Sequence, residues 1–220
     1  MSLARALELR ASCDYRGALA ALRDAKDHAE LVARSRLYED FGDYASARAD
    51  AERADDRIRL AGVALAEGEP QEALALTEGV ACIERGDALA GLARLDEAEE
   101  LYRSLPDDDP LVRLGRGAVL RSRGEYPDAE NELLQALALA EQRFGAASIE
   151  TAGALNALGM TYKYWGRFDE GRCVYDRALA ILVRAFGEEH TDVATVHHNL
   201  GVSSTPVATS RRRSLTPGSR

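Results

Sequence analysis

Shifted by 42 residues, the C-terminal half of this chain falls on itself. Ala136-Leu137-Ala138 lands on Ala178-Leu179-Ala180, Phe144-Gly145 on Phe186-Gly187, Gly124 on Gly166, and Gly117 on Gly159 and again on Gly201. Leu158 meets Leu200 by the same shift. A chain that repeats one unit builds by stacking it, each copy burying its apolar face against the next, and this excludes most other architectures at once. Within a unit the apolar spacing is helical. Leu155, Leu158 and Tyr162 mark one face, and Tyr175, Ala178, Leu179, Leu182 and Phe186 mark another. Gly166 lies between the two, where the backbone must turn, and Gly187 follows the second, where a left-handed cap ends a helix. Pro127 and Pro70 fall in the first turn of second helices in other units, where the missing N–H costs nothing. No stretch alternates with the period of a strand. The expectation is an all-α solenoid of helical hairpins without a sheet.

Small residues trace the unit toward the N-terminus. Ala18, Ala47, Ala73, Ala98, Ala129 and Gly171 each follow, three residues on, one of Tyr15, Tyr44, Pro70, Leu95, Tyr126 and Phe168. The spacings are 29, 26, 25, 31 and 42 residues, and the short ones leave room for about ten residues per helix at a rise of about 1.5 Å each. Residues 1–202 are therefore read as one array, degenerate over about 1–110 and clearer over 111–202, whose last unit begins at Thr191 and is truncated. Asp107-Asp108-Asp109-Pro110 is read as a loop between units, because the residue before proline avoids the helix. Residues 203–220, rich in Ser, Thr, Arg and Pro and without an apolar period, are expected to be disordered. GC-rich codons for residues 208–217, read one base out of frame, restore a glycine, a phenylalanine and a small residue in register with Gly166, Phe168 and Gly171, so the tail is read as a frameshift product.

Leu155-x-x-Leu158-Gly159-x-x-Tyr162-x-x-x-Gly166-x-Phe168, followed by Gly171, Tyr175 and Ala178, resembles the tetratricopeptide repeat. The 42-residue period and Phe186-Gly187-x-x-His190-x-Asp192-Val193-Ala194-Thr195 resemble its kinesin-light-chain-like subclass, with Thr191 standing where that subclass has proline. The resemblance implies a right-handed superhelix whose concave face, lined by first helices, binds a peptide or protein segment. It places Arg121, Asn156, Met160, Lys163, Tyr164, His198 and Asn199 on that groove. There the asparagine amides would pair with extended backbone, while Arg121 and Lys163 would attract an acidic group. It also implies close helix crossings at Gly159 and Gly171, and at Ala178, Ala129, Ala98 and Gly117. The function expected is that of a non-enzymatic interaction scaffold. The other reading is a sensor or regulatory module of a larger signalling protein, such as a transcription regulator or a nucleotide-driven switch.

Composition narrows the alternatives. The net charge is −9, and residues 203–220 hold four arginines and no acid, so the first 202 residues carry an excess of thirteen negative charges. Nucleic-acid binding needs a clustered basic surface, and this body lacks one. No run reaches eighteen apolar residues and no apolar leader follows the start, so neither a membrane span nor a secretory signal is expected. Cys13, Cys82 and Cys173 are odd in number and scattered, which fits a reducing, cytoplasmic setting better than disulfides or a metal site. Arginine outnumbers lysine (Lys26 and Lys163 only) as in a GC-rich bacterial genome. His190, His197 and His198 cluster without a third ligand at metal spacing, so neither metal nor cofactor is expected. Arg85-Gly86-Asp87 resembles an adhesion tripeptide, but Gly86 falls on a helix-crossing position. Trp165, beside the turn, is read as a packing or hinge residue. An end unit without its second helix would leave Val193, Val196 and Leu200 uncovered, so self-association through 192–202 is expected.

Overall fold

The computed structural model describes residues 3–203, with side chains through residue 201. Thirteen helices and no strand occupy the described residues: α1 (Leu3–Ala11), α2 (Tyr15–Ala21), α3 (His28–Asp40), α4 (Tyr44–Arg53), α5 (Arg57–Ala66), α6 (Pro70–Leu76), α7 (Ile83–Gly91), α8 (Leu95–Ser104), α9 (Pro110–Arg123), α10 (Tyr126–Phe144), α11 (Ile149–Trp165), α12 (Phe168–Phe186) and α13 (Thr191–Ser203). Consecutive helices pair into six hairpins, and each hairpin packs on the next. The second helices grow from the seven residues of α2 and α6 to the nineteen of α10 and α12, which accounts for the uneven spacing.

Helix starts are chemical. Asp14, Asp27, Asp43 and Asp56 each accept the N–H three residues on, satisfying a donor that the helix itself leaves unpaired. Part of the acidic excess is therefore structural. Asp109 caps α9 through the N–H of Leu111, and the Asp-rich break is a loop between units, as expected. The turn inside every hairpin places one residue in the left-handed region, always five before the small marker residue. Glycine fills it at 42, 68, 124 and 166, while Cys13 (φ 62°) and Ala93 (φ 58°) occupy it in two units.

One pair of positions sets every crossing. The residue twelve before each marker on the first helix stands in register with the residue four after the marker, and the two touch wherever the first is glycine. The pairs are Ala6 with Leu22, Ser35 with Ala51, Ala61 with Thr77, Gly86 with Tyr102, Gly117 with Leu133 and Gly159 with Tyr175. All twelve are buried; a small residue stands against a large one at Ala6, Gly86, Gly117 and Gly159, because helices approaching this closely can hold one large side chain but not two, while Ser35 with Ala51 and Ala61 with Thr77 are small on both sides. A methyl group on Gly159 would stand 2.5 Å from the Tyr175 ring, and one on Gly117 2.6 Å from Leu133. The markers Ala98 and Ala129, and Ala178 in the last complete hairpin, are fully buried, and Gly171 faces the Gly159 carbonyl. The N-terminal units are thus short without being degenerate in register.

Arginine stands one position before the crossing in four units; Arg5 is exposed and pairs with Glu8, and the other three turn inward. Arg34 donates to the Leu22 and Arg23 carbonyls, Arg85 to those of Leu74 and Thr77, and Arg116 to that of Tyr102. Each reaches back to the end of the preceding second helix, whose last carbonyls lack intrahelical partners. Arg34 also forms a buried, two-pronged pair with Asp50 at 2.6 and 2.8 Å. In the units of Leu60, Leu158 and Leu200 the same position is apolar.

Candidate functional site

The array curls until its ends meet. Tyr15 of α2 packs on Phe186 of α12 with ring centroids 5.5 Å apart, and Phe41 meets the same ring edge-on at 5.3 Å. The Tyr15 hydroxyl accepts the Ile149 N–H at 3.1 Å, and the Cys13 thiol donates to the Ala147 carbonyl. Arg10 pairs with Glu150 of α11 at 2.7 Å and lies 3.7 Å from Asp40 of α3. One core consequently joins residues of α1–α3 to residues of α11–α13.

The first helices surround a basin of about 700 Å³. Arg10 of α1, Arg36 and Asp40 of α3, Arg59 of α5, Glu84 and Asp87 of α7, Leu111, Leu114 and Arg121 of α9, and Asn156 and Met160 of α11 all reach it. Its charges are largely paired. Arg59 bonds Ser35 at 3.0 Å and pairs with Glu39, while desolvation and the nearby Arg36 bring its guanidinium down to about 10. Asp87 accepts the Tyr102 hydroxyl, yet partial desolvation pushes its carboxyl up to about 6, and Glu84 adds to the rise. Asp40, enclosed at the seam, is pushed up to about 7; Glu150 and Asp192 add to this and Arg10 opposes it.

Of the residues expected on the groove, Arg121, Asn156 and Met160 line the basin together. Asn199 is buried rather than open, and its amide donates to the Asn156 side-chain oxygen at 3.4 Å. Lys163, Tyr164 and His198 do not line the basin. Tyr164 is 59% exposed with the Lys163 ammonium 5.9 Å over its ring, and His198 is exposed. Sequence reasoning missed Arg36, Asp87 and Arg59. A register signal was present: Arg36, Gly62, Asp87, Ala118 and Met160 all stand eleven residues before a marker, and all reach the basin.

Two further expectations change. Val193 and Val196 are buried within the chain and Leu200 is half-buried, because α13 packs on α11 and α12. The apolar edge expected to drive self-association is therefore covered. Arg85-Gly86-Asp87 is not an exposed adhesion loop: Gly86 lies under Tyr102 and Arg85 caps a helix. Trp165 packs, stacked on Tyr126 with Arg167 4.7 Å over its ring. His190 stacks on Phe186 at 4.3 Å, and no group of three metal-capable side chains occurs among the described residues. The proposed frameshift at 208–217 lies outside the described residues. Among those described, no helix is long and apolar enough to cross a membrane.

A curled stack of α-hairpins with a basin on its inner side defines a helical-repeat scaffold. Residues 108–182 match the tetratricopeptide repeat family. Protein KINESIN LIGHT CHAIN-RELATED 3 of Arabidopsis thaliana is 28% identical over 135 residues, which are 56% of this chain and 20% of that protein. The chain thus spans about a fifth of that relative's length. Among solved structures, the APC/C hetero-tetramer Cut9–Hcn1 superposes with a TM-score of 0.61 at 20% identity, covering 90% of this chain and 43% of the other. BtubC (BKLC) from P. vanneervenii gives 0.49 at 17% identity over 91% and 81%. Residues 108–182 are thus similar to tetratricopeptide repeats, and the array around them shares their fold.

Proposed function

We propose that this protein is a non-enzymatic scaffold that holds an extended peptide or protein segment in the basin ringed by its first helices, and that its 42-residue hairpins are of the kinesin-light-chain kind. The observation that carries the reading is the basin itself. It combines an apolar floor of Leu111, Leu114 and Ala118 with hydrogen-bonding groups at its rim, the mixture that orients a bound chain. Nothing in it aligns a nucleophile with a base. Asn156 lets an amide pair with a partner's backbone whatever its side chains.

Selection of a random displayed peptide library against the chain tests this. Selected peptides should perturb backbone amides of α9 and α11 in 15N–1H spectra, and Ala118→Phe, which fills the floor, should abolish binding while the fold persists. Binders that perturb only the outer second helices would overturn the reading.

A further inference from the structure

Resting on that reading, we propose that the bound segment carries an aliphatic residue and, about two places from it, a Lys or Arg, held by an apolar belt and an anionic tier of the basin. The basin-facing position eleven residues before each marker has a neighbour one turn earlier on the same helix face, fifteen before the marker. In five successive hairpins that neighbour is aliphatic: Leu3, Val32, Ile58, Ile83 and Leu114. Asn156 ends the series. Ile83 and Leu114 line the basin, and Leu3 and Val32 line an apolar cleft of about 360 Å³ between α1 and α3. Arg10 and Arg36 border both, so the two spaces adjoin. Ile58 is 39% exposed, and Leu7, one turn beyond Leu3, is 53% exposed. Aliphatic groups left open at one level by unit after unit mark a surface for a partner.

Charge decides what accompanies the apolar group. Glu84 and Asp87 reach the basin from α7, directly after Ile83 and one turn beyond it. Neither carboxylate forms an ion pair among the described residues, and Arg59, which senses Glu84, is itself held by Glu39. The two acids repel each other, and a cation beside them would relieve the repulsion. One helical turn rises about 5.4 Å, a distance that an extended chain spans in about two residues. An aliphatic side chain seated against Ile83 and Leu114 therefore sets a base about two places away beside Asp87, where its N–H groups make charge-assisted bonds.

The random-peptide selection described above, followed by sequencing of the binders, separates this inference from the broader one. Binders should share an aliphatic residue and, about two places from it, a Lys or Arg. In the best such peptide, replacing that base by Gln should weaken binding at least tenfold for the unaltered chain. The same replacement should matter less than twofold for Asp87→Asn, whose amide oxygen still accepts from Tyr102. Leu7→Ser and Ile58→Ser alter exposed side chains, so together they should leave the urea midpoint unchanged while weakening the peptide at least tenfold. Basin-binding peptides without the aliphatic–basic pair, or a preference for the base that survives Asp87→Asn, would overturn the inference and leave the scaffold standing. So would a different occupant of the belt. A second copy would appear as a dimer in sedimentation that Leu7→Ser and Ile58→Ser dissolve, and residues 204–220 would appear as tenfold tighter peptide binding once they are deleted. If no selected peptide perturbs the basin, both readings fall.

Discussion

Ala93 carries backbone strain that its counterparts avoid. Its φ of 58° puts a Cβ against the following carbonyl, a conformation costing an L-residue about 1–2 kcal/mol. Glycine at the equivalent Gly124 and Gly166 adopts the same turn without that clash. Ala93→Gly should therefore stabilise the chain by up to about 1 kcal/mol, since the greater freedom of unfolded glycine offsets part of the gain. Gly124→Ala should cost about 1 kcal/mol, and urea midpoints of the two variants should move in opposite directions. Equal shifts of one sign would mean that the turns do not share a conformation. Cys13 holds the same backbone at φ 62°, but its thiol reaches Ala147 across the seam, so glycine there would trade strain for a lost contact. The crossing pairs follow a similar exchange, with small against large in four of the six hairpins.

Within a hairpin, the helices depend on polar groups that periodicity does not reveal. Arg34 and Asp50 are buried together, and Arg53, more exposed, also donates to the Asp50 carboxylate at 2.9 Å, so removing Arg34 leaves Asp50 with that one partner. Arg34→Leu, although it restores the leucine found in other units, should cost about 3 kcal/mol, because the buried Asp50 loses its two-pronged partner and keeps only Arg53. Arg85→Leu removes only bonds of 3.2–3.3 Å to carbonyls and should cost about 1 kcal/mol. Thermal unfolding of both variants checks the contrast, and comparable losses would count against it. The hairpins themselves were legible, because helical spacing, turn glycines and small crossing residues are local signals. The arginine caps were not. Arginine at a leucine position reads as a solvated charge until the neighbouring short helix is known to end beneath it. Arg121 and Met160 were legible on the basin, whereas Lys163, Tyr164 and His198 do not line it, and Tyr164 and His198 are exposed.

Curvature belongs to the whole array, and no single unit encodes it. Each hairpin specifies its neighbour, while the meeting of α1–α3 with α11–α13 follows from rotations accumulated over six units, which is why the seam escaped sequence reasoning. Asp40 makes this seam sensitive to pH. Its carboxyl sits at about 7 when folded and near 4 when unfolded, so the folded state binds the extra proton between those values, and stability falls as pH rises through that window. Between pH 5.0 and 7.5 the urea midpoint should drop, and Asp40→Asn should flatten the dependence while stabilising the chain at the higher pH; an unchanged slope would remove Asp40 as the cause. Phe186 tests whether the seam closes the basin. Its ring is shared by Tyr15, Phe41 and His190, so truncation withdraws the surface on which the first two hairpins rest. Stacked repeats contact mainly their neighbours, so the loss should stay local. Phe186→Ala should increase the radius of gyration in X-ray scattering and speed amide exchange in α1 and α2, while α9 and α10 keep their protection. Exchange that accelerates uniformly through all helices would mean the array unfolds as one unit. An unchanged radius with unchanged exchange in α1 and α2 would mean that the ends are held together elsewhere.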